Sequence, residues 1–187
     1  LNDCINVNED STCVKACLGL LDDPENQKQF PLIFDFQHCQ NMMIVGDACS
    51  GKTTLIQTIL YSLAKHYSPD DFQFYVLDYS SRLLNAFSVL PHCGAVLTEE
   101  SSSLDNFFEL LNEIVSQRKK LFTDLEVDNF DDVCLKRRLP LILVVIDGFS
   151  GMGTTKEGAI HLQRMQGYLR ESAKYGIKYV ITCTHLN

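Results

Sequence analysis

The 187-residue sequence lacks a C-x-x-C pair, a bilayer-length apolar run, a surplus of basic residues and any internal repeat or low-complexity linker. Each absence excludes something. Its eight cysteines stand at 4, 13, 17, 39, 49, 93, 134 and 183, and only Cys13 and Cys17 are close, four apart. Without a matching His or Cys pair, neither a zinc framework nor a disulfide framework is indicated. Reduced, mostly buried thiols in a cytosolic protein are expected instead. No stretch approaches the ~20 apolar residues that span a bilayer, and the N-terminus has no charged-then-apolar signal pattern, so the sequence reads as soluble. A formal net charge of −8 and a pI near 5.0 argue against a broad nucleic-acid-binding face, because phosphate backbones are held by clustered Lys and Arg. The short basic runs at 118–120 and 136–138 read as solvated surface.

What is present is an alternation of short apolar runs with longer helix-period segments. Residues 32–36 and 42–45 read as strands, the second ending in a glycine-containing turn. A helix is expected from about Lys52, because Leu55, Ile56, Ile59, Leu60 and Leu63 share one face. A strand follows at 72–78, then a weaker one around 94–98. The serines at 101–103 with Asp105 offer a capped start for a helix carrying Leu104, Phe107, Phe108, Leu111, Ile114 and Val115, running to Phe122 or beyond. The all-apolar run "LILVVID" (141–147) is the next strand. A helix with Leu162, Met165, Leu169 and Ala173 on one side is stopped by Gly176, and "KYVITCT" closes the chain. Strand and helix alternating over this length predict a mostly parallel α/β sheet with helices on both faces. At 187 residues with 45% hydrophobic content, a single domain is expected, with residues 1–30 as a lead-in and 31–187 as the nucleotide-binding core.

The strongest chemical signal is "GDACSGKTT", residues 46–54, which fits G-x-x-x-x-G-K-S/T between a strand and a helix. That context is the phosphate-binding one. Gly46 and Gly51 let the backbone turn so that the N–H groups of Asp47, Ala48, Cys49 and Ser50 face an anion at the positive end of the helix. Lys52 is expected to reach the β and γ phosphates of ATP, Thr53 to place its hydroxyl on Mg2+, and Thr54 to assist. Cys49 needs only to be small. Asp147, ending an apolar strand about 95 residues after the lysine, supplies the second metal-holding group, partly through water.

The stretches at 19–36, 41–79, 90–97 and 139–147 resemble FtsK/SpoIIIE-type ATPase domains. Within that family the likeness is to the tandem cytosolic domains of type VII secretion ATPases, the EssC or EccC group, and "GLLDDPENQ" (19–27) is what points to secretion. The resemblance implies a RecA-like P-loop NTPase core of the ASCE type. It also implies a larger protein, anchored at the cytoplasmic face of the bacterial membrane through other parts and carrying several such domains. The last strand should lie between the P-loop strand and the Asp147 strand. Partners implied are neighbouring ATPase domains of the same chain and small helical-hairpin secretion substrates, bound by their C-terminal tails.

Against that family, position 148 is Gly where hydrolysing members carry the glutamate that polarises the attacking water, and Thr184 falls where they often carry a γ-phosphate-sensing glutamine. Removing a positioned base costs on the order of 10² to 10⁴ in rate. The expectation is therefore a second or third, degenerate ATPase domain that binds Mg-ATP with weak or no hydrolysis. Its role would be regulation and substrate recruitment. Restoring a carboxylate by Gly148→Glu is expected to raise turnover about tenfold. Asp78, at the end of the strand after the P-loop helix, is a less favoured base; Glu99 and Glu100 read as helix-start charge. Arg82, Arg118 and Arg164 are candidates for reaching a neighbour's nucleotide. The alternatives are an active translocating ATPase acting on protein or DNA, and an interaction domain with an empty nucleotide site.

Overall fold

The all-apolar run at 141–147 becomes a strand buried on both sides. In the computed structural model, which describes residues 13–39, 41–98, 103–152 and 156–185, two hairpin strands come first, β1 (Lys15–Asp23) and β2 (Lys28–Asp35). The core follows as β3 (Met42–Val45), α1 (Lys52–His66), β4 (Phe72–Asp78), β5 (Cys93–Thr98), α2 (Leu104–Asp124) and α3 (Phe130–Lys136). It is completed by β6 (Leu141–Asp147), the short α4 (Phe149–Met152), α5 (Lys156–Glu171) and β7 (Ile177–Cys183). Strands β3 to β7 form one parallel sheet in the order β3-β7-β6-β4-β5. The last strand thus lies between the first core strand and β6, as expected.

Successive side chains of a strand point to opposite faces, and β6 divides its run accordingly. Leu141, Leu143 and Val145 join Ile56, Ile59, Leu60 and Leu63 of α1 on one face. Ile142, Val144 and Ile146 join Phe107, Phe108 and Leu111 of α2 and Met165 of α5 on the other. A strand covered on both faces has no polar side to alternate with, which is why it reads as a continuous apolar run.

Residues 32–36 do not join this sheet. All but Phe36 fall in β2, which pairs antiparallel with β1, a strand inside the segment expected to be a lead-in. Burial along β1 falls from one end to the other instead of alternating: Ala16 and Cys17 are buried whereas Leu20 and Leu21 are exposed, so no period-2 signal marks the strand. The inner end of the hairpin is tied to α1, with the Cys17 amide donating to Ser62 Oγ at 2.9 Å and the Lys15 amide to the Tyr67 hydroxyl at 2.9 Å.

Other differences are local. Ser103 is the N-cap residue of α2 but makes no side-chain cap bond; Ser101, Ser102, Glu99 and Glu100 lie outside the described residues. Ala173 belongs to a 3-10 turn after α5, ended by Gly176 at φ 73°. The left-handed backbone and the Phe130 ring, whose Cδ2 would stand 2.2 Å from an added Cβ, both require glycine there. Helix α3, absent from the periodicity reading, starts where Asn129 accepts the Asp132 amide at 2.9 Å. Arg118 is buried, donates to the carbonyls of Tyr175 and Pro140 and stacks over Phe130. Burial pushes its guanidinium down to about 10. It braces the interior and does not reach outward.

Candidate functional site

The C-terminal ends of β3, β7, β6 and β4 converge on a cleft of about 560 Å³, floored by the loop between β3 and α1. Its size lies within the ordinary ligand-pocket range of roughly 300–1,000 Å³. The loop is anchored at its start by the Gly46 amide, which donates to the Cys183 carbonyl at 3.2 Å, and turned inside by Ser50 N to Asp47 O at 3.2 Å. A Cβ at Gly46 would stand 2.7 Å from Ser50 Oγ. Gly51 is the left-handed N-cap residue of α1 at φ 91°. The left-handed turn thus demands glycine at 51, while a side chain at 46 would require the Ser50 hydroxyl to move aside.

Cys49 is also left-handed, at φ 61°. Side chains rarely adopt this conformation, and β-branched ones least of all; smallness alone does not describe what the position requires. Ala48, Cys49, Ser50, Thr53 and Thr54 all line the cleft. Lys52 Nζ donates to the carbonyls of Gly46 at 2.8 Å and Asp47 at 2.7 Å. The amine is held over the loop, where an anion bound by the loop amides would meet it.

Asp147 is brought beside the loop by β6, and both of its oxygens are engaged. Thr53 Oγ1 donates to Oδ2 at 2.8 Å, and Thr182 Oγ1 donates to Oδ1 at 2.6 Å. Thr182 also accepts the Gly148 amide at 2.8 Å. The sequence reading missed Thr182 and pointed instead to Thr184, which lines the cleft as an exposed residue. The available signal was a hydroxyl beside the apolar Val180 and Ile181 near the C-terminal end of β7. A hydroxyl and a carboxylate in contact, at a helix N-terminus beside a lysine, form an oxygen donor set that would suit a hard cation.

Asp78 pairs in register with Asp147 on the neighbouring strand. Its Oδ1 accepts the Ser80 amide at 3.0 Å, while its buried Oδ2 has no hydrogen-bond partner. The cleft wall on this side is made by Tyr79, Ser80 and Ser81, three residues the sequence reading did not single out. Of the arginine candidates, Arg164 is engaged at the surface with Asp105 at 2.7 Å, Arg82 sits in a left-handed turn at φ 57° after β4, and Arg118 is interior.

Gly148 overturns one expectation. It lies at φ 83°, and an added Cβ would come within 3.2 Å of Ser80 Cβ and of the Tyr79 carbonyl carbon. A side chain there is strained by its own backbone and crowded by the loop after β4. Gly148→Glu is therefore not a simple restoration of a missing carboxylate.

A glycine loop between the first core strand and a helix, an acidic strand end two places across the sheet, and a parallel order with the last strand between them define a RecA-like P-loop NTPase. The chain belongs to the FtsK/SpoIIIE family, which matches residues 16–181. It is 28% identical to the ESX secretion system protein EccC of Geobacillus thermodenitrificans over 174 residues, 91% of this chain and 12% of that protein. It superposes on EssC (ATPases 2 and 3) from Geobacillus thermodenitrificans with a TM-score of 0.83 at 26% identity, covering 94% of this chain and 34% of that one. Thermomonospora curvata EccC (ATPases 2 and 3), solved in complex with a signal sequence peptide, shares the fold with a TM-score of 0.85 at 23% identity, covering 97% and 34%. The chain spans about an eighth of the length of the curated relatives it matches.

Proposed function

We propose that this chain is a nucleotide-holding ATPase domain of a type VII secretion motor, binding Mg-ATP with weak or no turnover and serving regulation and substrate recruitment. The observation that carries the reading is Gly148, left-handed and wedged against Tyr79 and Ser80, in a site whose other parts are in place. The amides of Ala48, Cys49 and Gly51 with the Lys52 amine would hold the phosphates, and Thr53 with Asp147 would hold the metal, with Thr54 and Thr184 at the edges of the cleft. Bound Mg2+ would neutralise charge on the β and γ phosphates. No carboxylate extends from position 148 to orient water, which is what weak turnover requires.

Recruitment is supported by the relative solved with a signal sequence peptide. Docking to a neighbouring ATPase domain of the same parent chain is supported by the outer end of the β1–β2 hairpin, where Leu20, Leu21, Phe30 and Leu32 are each 45–55% exposed. Among the described residues no helix is long and apolar enough to cross a membrane, so attachment to the cytoplasmic face of the membrane would come from other parts of the parent protein. An active enzyme is the rival reading, and the partnerless Asp78 Oδ2 beside Asp147 favours it.

Turnover and stability measured together separate the two. Millimolar Mg-ATP is expected to raise the unfolding free energy by roughly 2–4 kcal/mol through mass action, with hydrolysis near background. A rate on the order of 1 s⁻¹ that Asp78→Asn eliminates would establish the active enzyme instead. Absence of any thermal shift would favour an empty site. The loop itself makes a further expectation: Cys49→Gly retains nucleotide affinity, whereas Cys49→Val, β-branched at a left-handed position, lowers it at least about tenfold. Equal affinity of both variants in a fluorescent-nucleotide titration would show that loop geometry at 49 does not matter.

A further inference from the structure

The base of the β1–β2 hairpin gathers three metal-ligating side chains that the nucleotide site does not use. Cys13 precedes β1, Asp35 ends β2 and His38 lies in the turn that follows. One donor atom from each, a thiol, a carboxylate oxygen and an imidazole nitrogen, lies within 4.8 Å of the other two. His38 Nδ1 and Asp35 Oδ2 are already 2.9 Å apart. A tetrahedral zinc ion, with Zn–S of about 2.3 Å and Zn–N or Zn–O of about 2.0–2.1 Å, holds its donors roughly 3.4–3.6 Å apart, so small side-chain rotations would close this set. We propose that Cys13, Asp35 and His38 form a zinc site at the base of the hairpin, with water as the fourth ligand.

Two of the ligands are oriented by groups behind them, as metal sites require. Asp35 Oδ1 accepts the amides of Gln37 at 3.0 Å and His38 at 3.1 Å, and Cys39 N closes the turn on the Asp35 carbonyl at 3.1 Å. Oδ2 is left directed at His38. The Cys13 carbonyl accepts the Tyr67 hydroxyl at 2.9 Å, and that hydroxyl in turn accepts the Lys15 amide. Phe36 N to Val14 O, at 2.9 Å, keeps the two ends of the hairpin side by side. Thiolate with imidazole and carboxylate suits zinc; magnesium and calcium prefer oxygen donors throughout. Lys15 Nζ, 3.7 Å from Asp35 Oδ2, must give way to the ion, and Lys178 and Asp131 carry opposite charges close by. Three ligands facing a lysine make an affinity weaker than that of a closed four-ligand site. Cys17, four positions from Cys13, is not part of the group. The Cys17 thiol instead donates to the Gly19 carbonyl, and the partners of Cys13 come from the far strand of the hairpin, 22 and 25 positions later. An ion there would lock the hairpin to the turn that leads into β3, the strand from which the phosphate loop springs.

The test is titration of the tag-free, reduced chain with Co2+, a spectroscopic stand-in for zinc. The expected result is one equivalent bound with a thiolate-to-cobalt charge-transfer band, displaced by Zn2+, abolished by Cys13→Ser and by His38→Ala, and retained in Cys17→Ala. Absence of the band, or a band that survives Cys13→Ser, overturns the proposal. If Cys13→Ser does not fold, His38→Ala at an exposed position decides it: unchanged zinc stoichiometry by native mass spectrometry refutes the site, and its loss supports it. None of these outcomes bears on nucleotide binding.

Discussion

Lys52→Ala is expected to abolish measurable Mg-ATP binding. For the wild type an affinity in the micromolar range or tighter is expected, about −8 kcal/mol. The Nζ sits 2.8 and 2.7 Å from two loop carbonyls, so it is already held beside the helix N-terminus and needs little rearrangement to meet phosphate oxygens. Truncating one partner of a hydrogen-bonded charge pair costs about 2–5 kcal/mol, the upper part of which moves a micromolar dissociation constant into the millimolar range. The fold should survive, because the lysine is only half-buried and its amine bonds carbonyls of the loop. Calorimetry showing equal nucleotide affinity for wild type and variant, both folded by circular dichroism, would remove the central claim.

Gly148→Glu is expected to destabilise the domain without restoring hydrolysis. A left-handed position alone costs a side chain about 1–2 kcal/mol. The 3.2 Å approaches to Ser80 and Tyr79 add to this, since the Tyr79 neighbour is backbone and is itself bonded, Tyr79 N to Asp147 O at 2.8 Å. Relief of the crowding would pull on Asp147 and on the Gly148 amide that Thr182 accepts, disturbing the groups that would hold the metal. Chemical denaturation should show a loss of roughly 2–3 kcal/mol, with Gly148→Ala showing most of it, and turnover should remain at background. A glutamate variant as stable as wild type, with turnover raised tenfold, would show that only the missing carboxylate limits hydrolysis.

Most of the parallel sheet was legible in the sequence because its central strands β6 and β7 are buried on both faces and its helices on one, and each environment imprints its own period on the apolar residues. Strand 72–78, the helix from Lys52 and the helix through Phe122 fall where their spacing put them. Of the hairpin, only the strand at 32–36 was read from the sequence, and β1 and the pairing were not. β1 is buried at one end and bare at the other, and β2 is exposed or half-buried throughout, so burial imposed no alternation. The short helix at Asn129 was missed for a related reason: its 7 residues complete too few turns for a period to emerge.

The sequence by itself determined the phosphate loop and its lysine, because consecutive residues in one turn act together and their spacing is preserved in the chain. It also determined that the strand ending in Asp147 is followed by a residue with no side chain. Only the tertiary structure decided that Thr182 shares Asp147 with Thr53, that Gly148 is held left-handed against Tyr79 and Ser80, that Arg118 faces inward, and that Cys13 meets Asp35 and His38. Each of these depends on strand order or on a turn's backbone angles, which bring together residues between 22 and 94 positions apart. Local spacing carries no record of such distances, since the same apolar periods are satisfied whichever strand lies next to which.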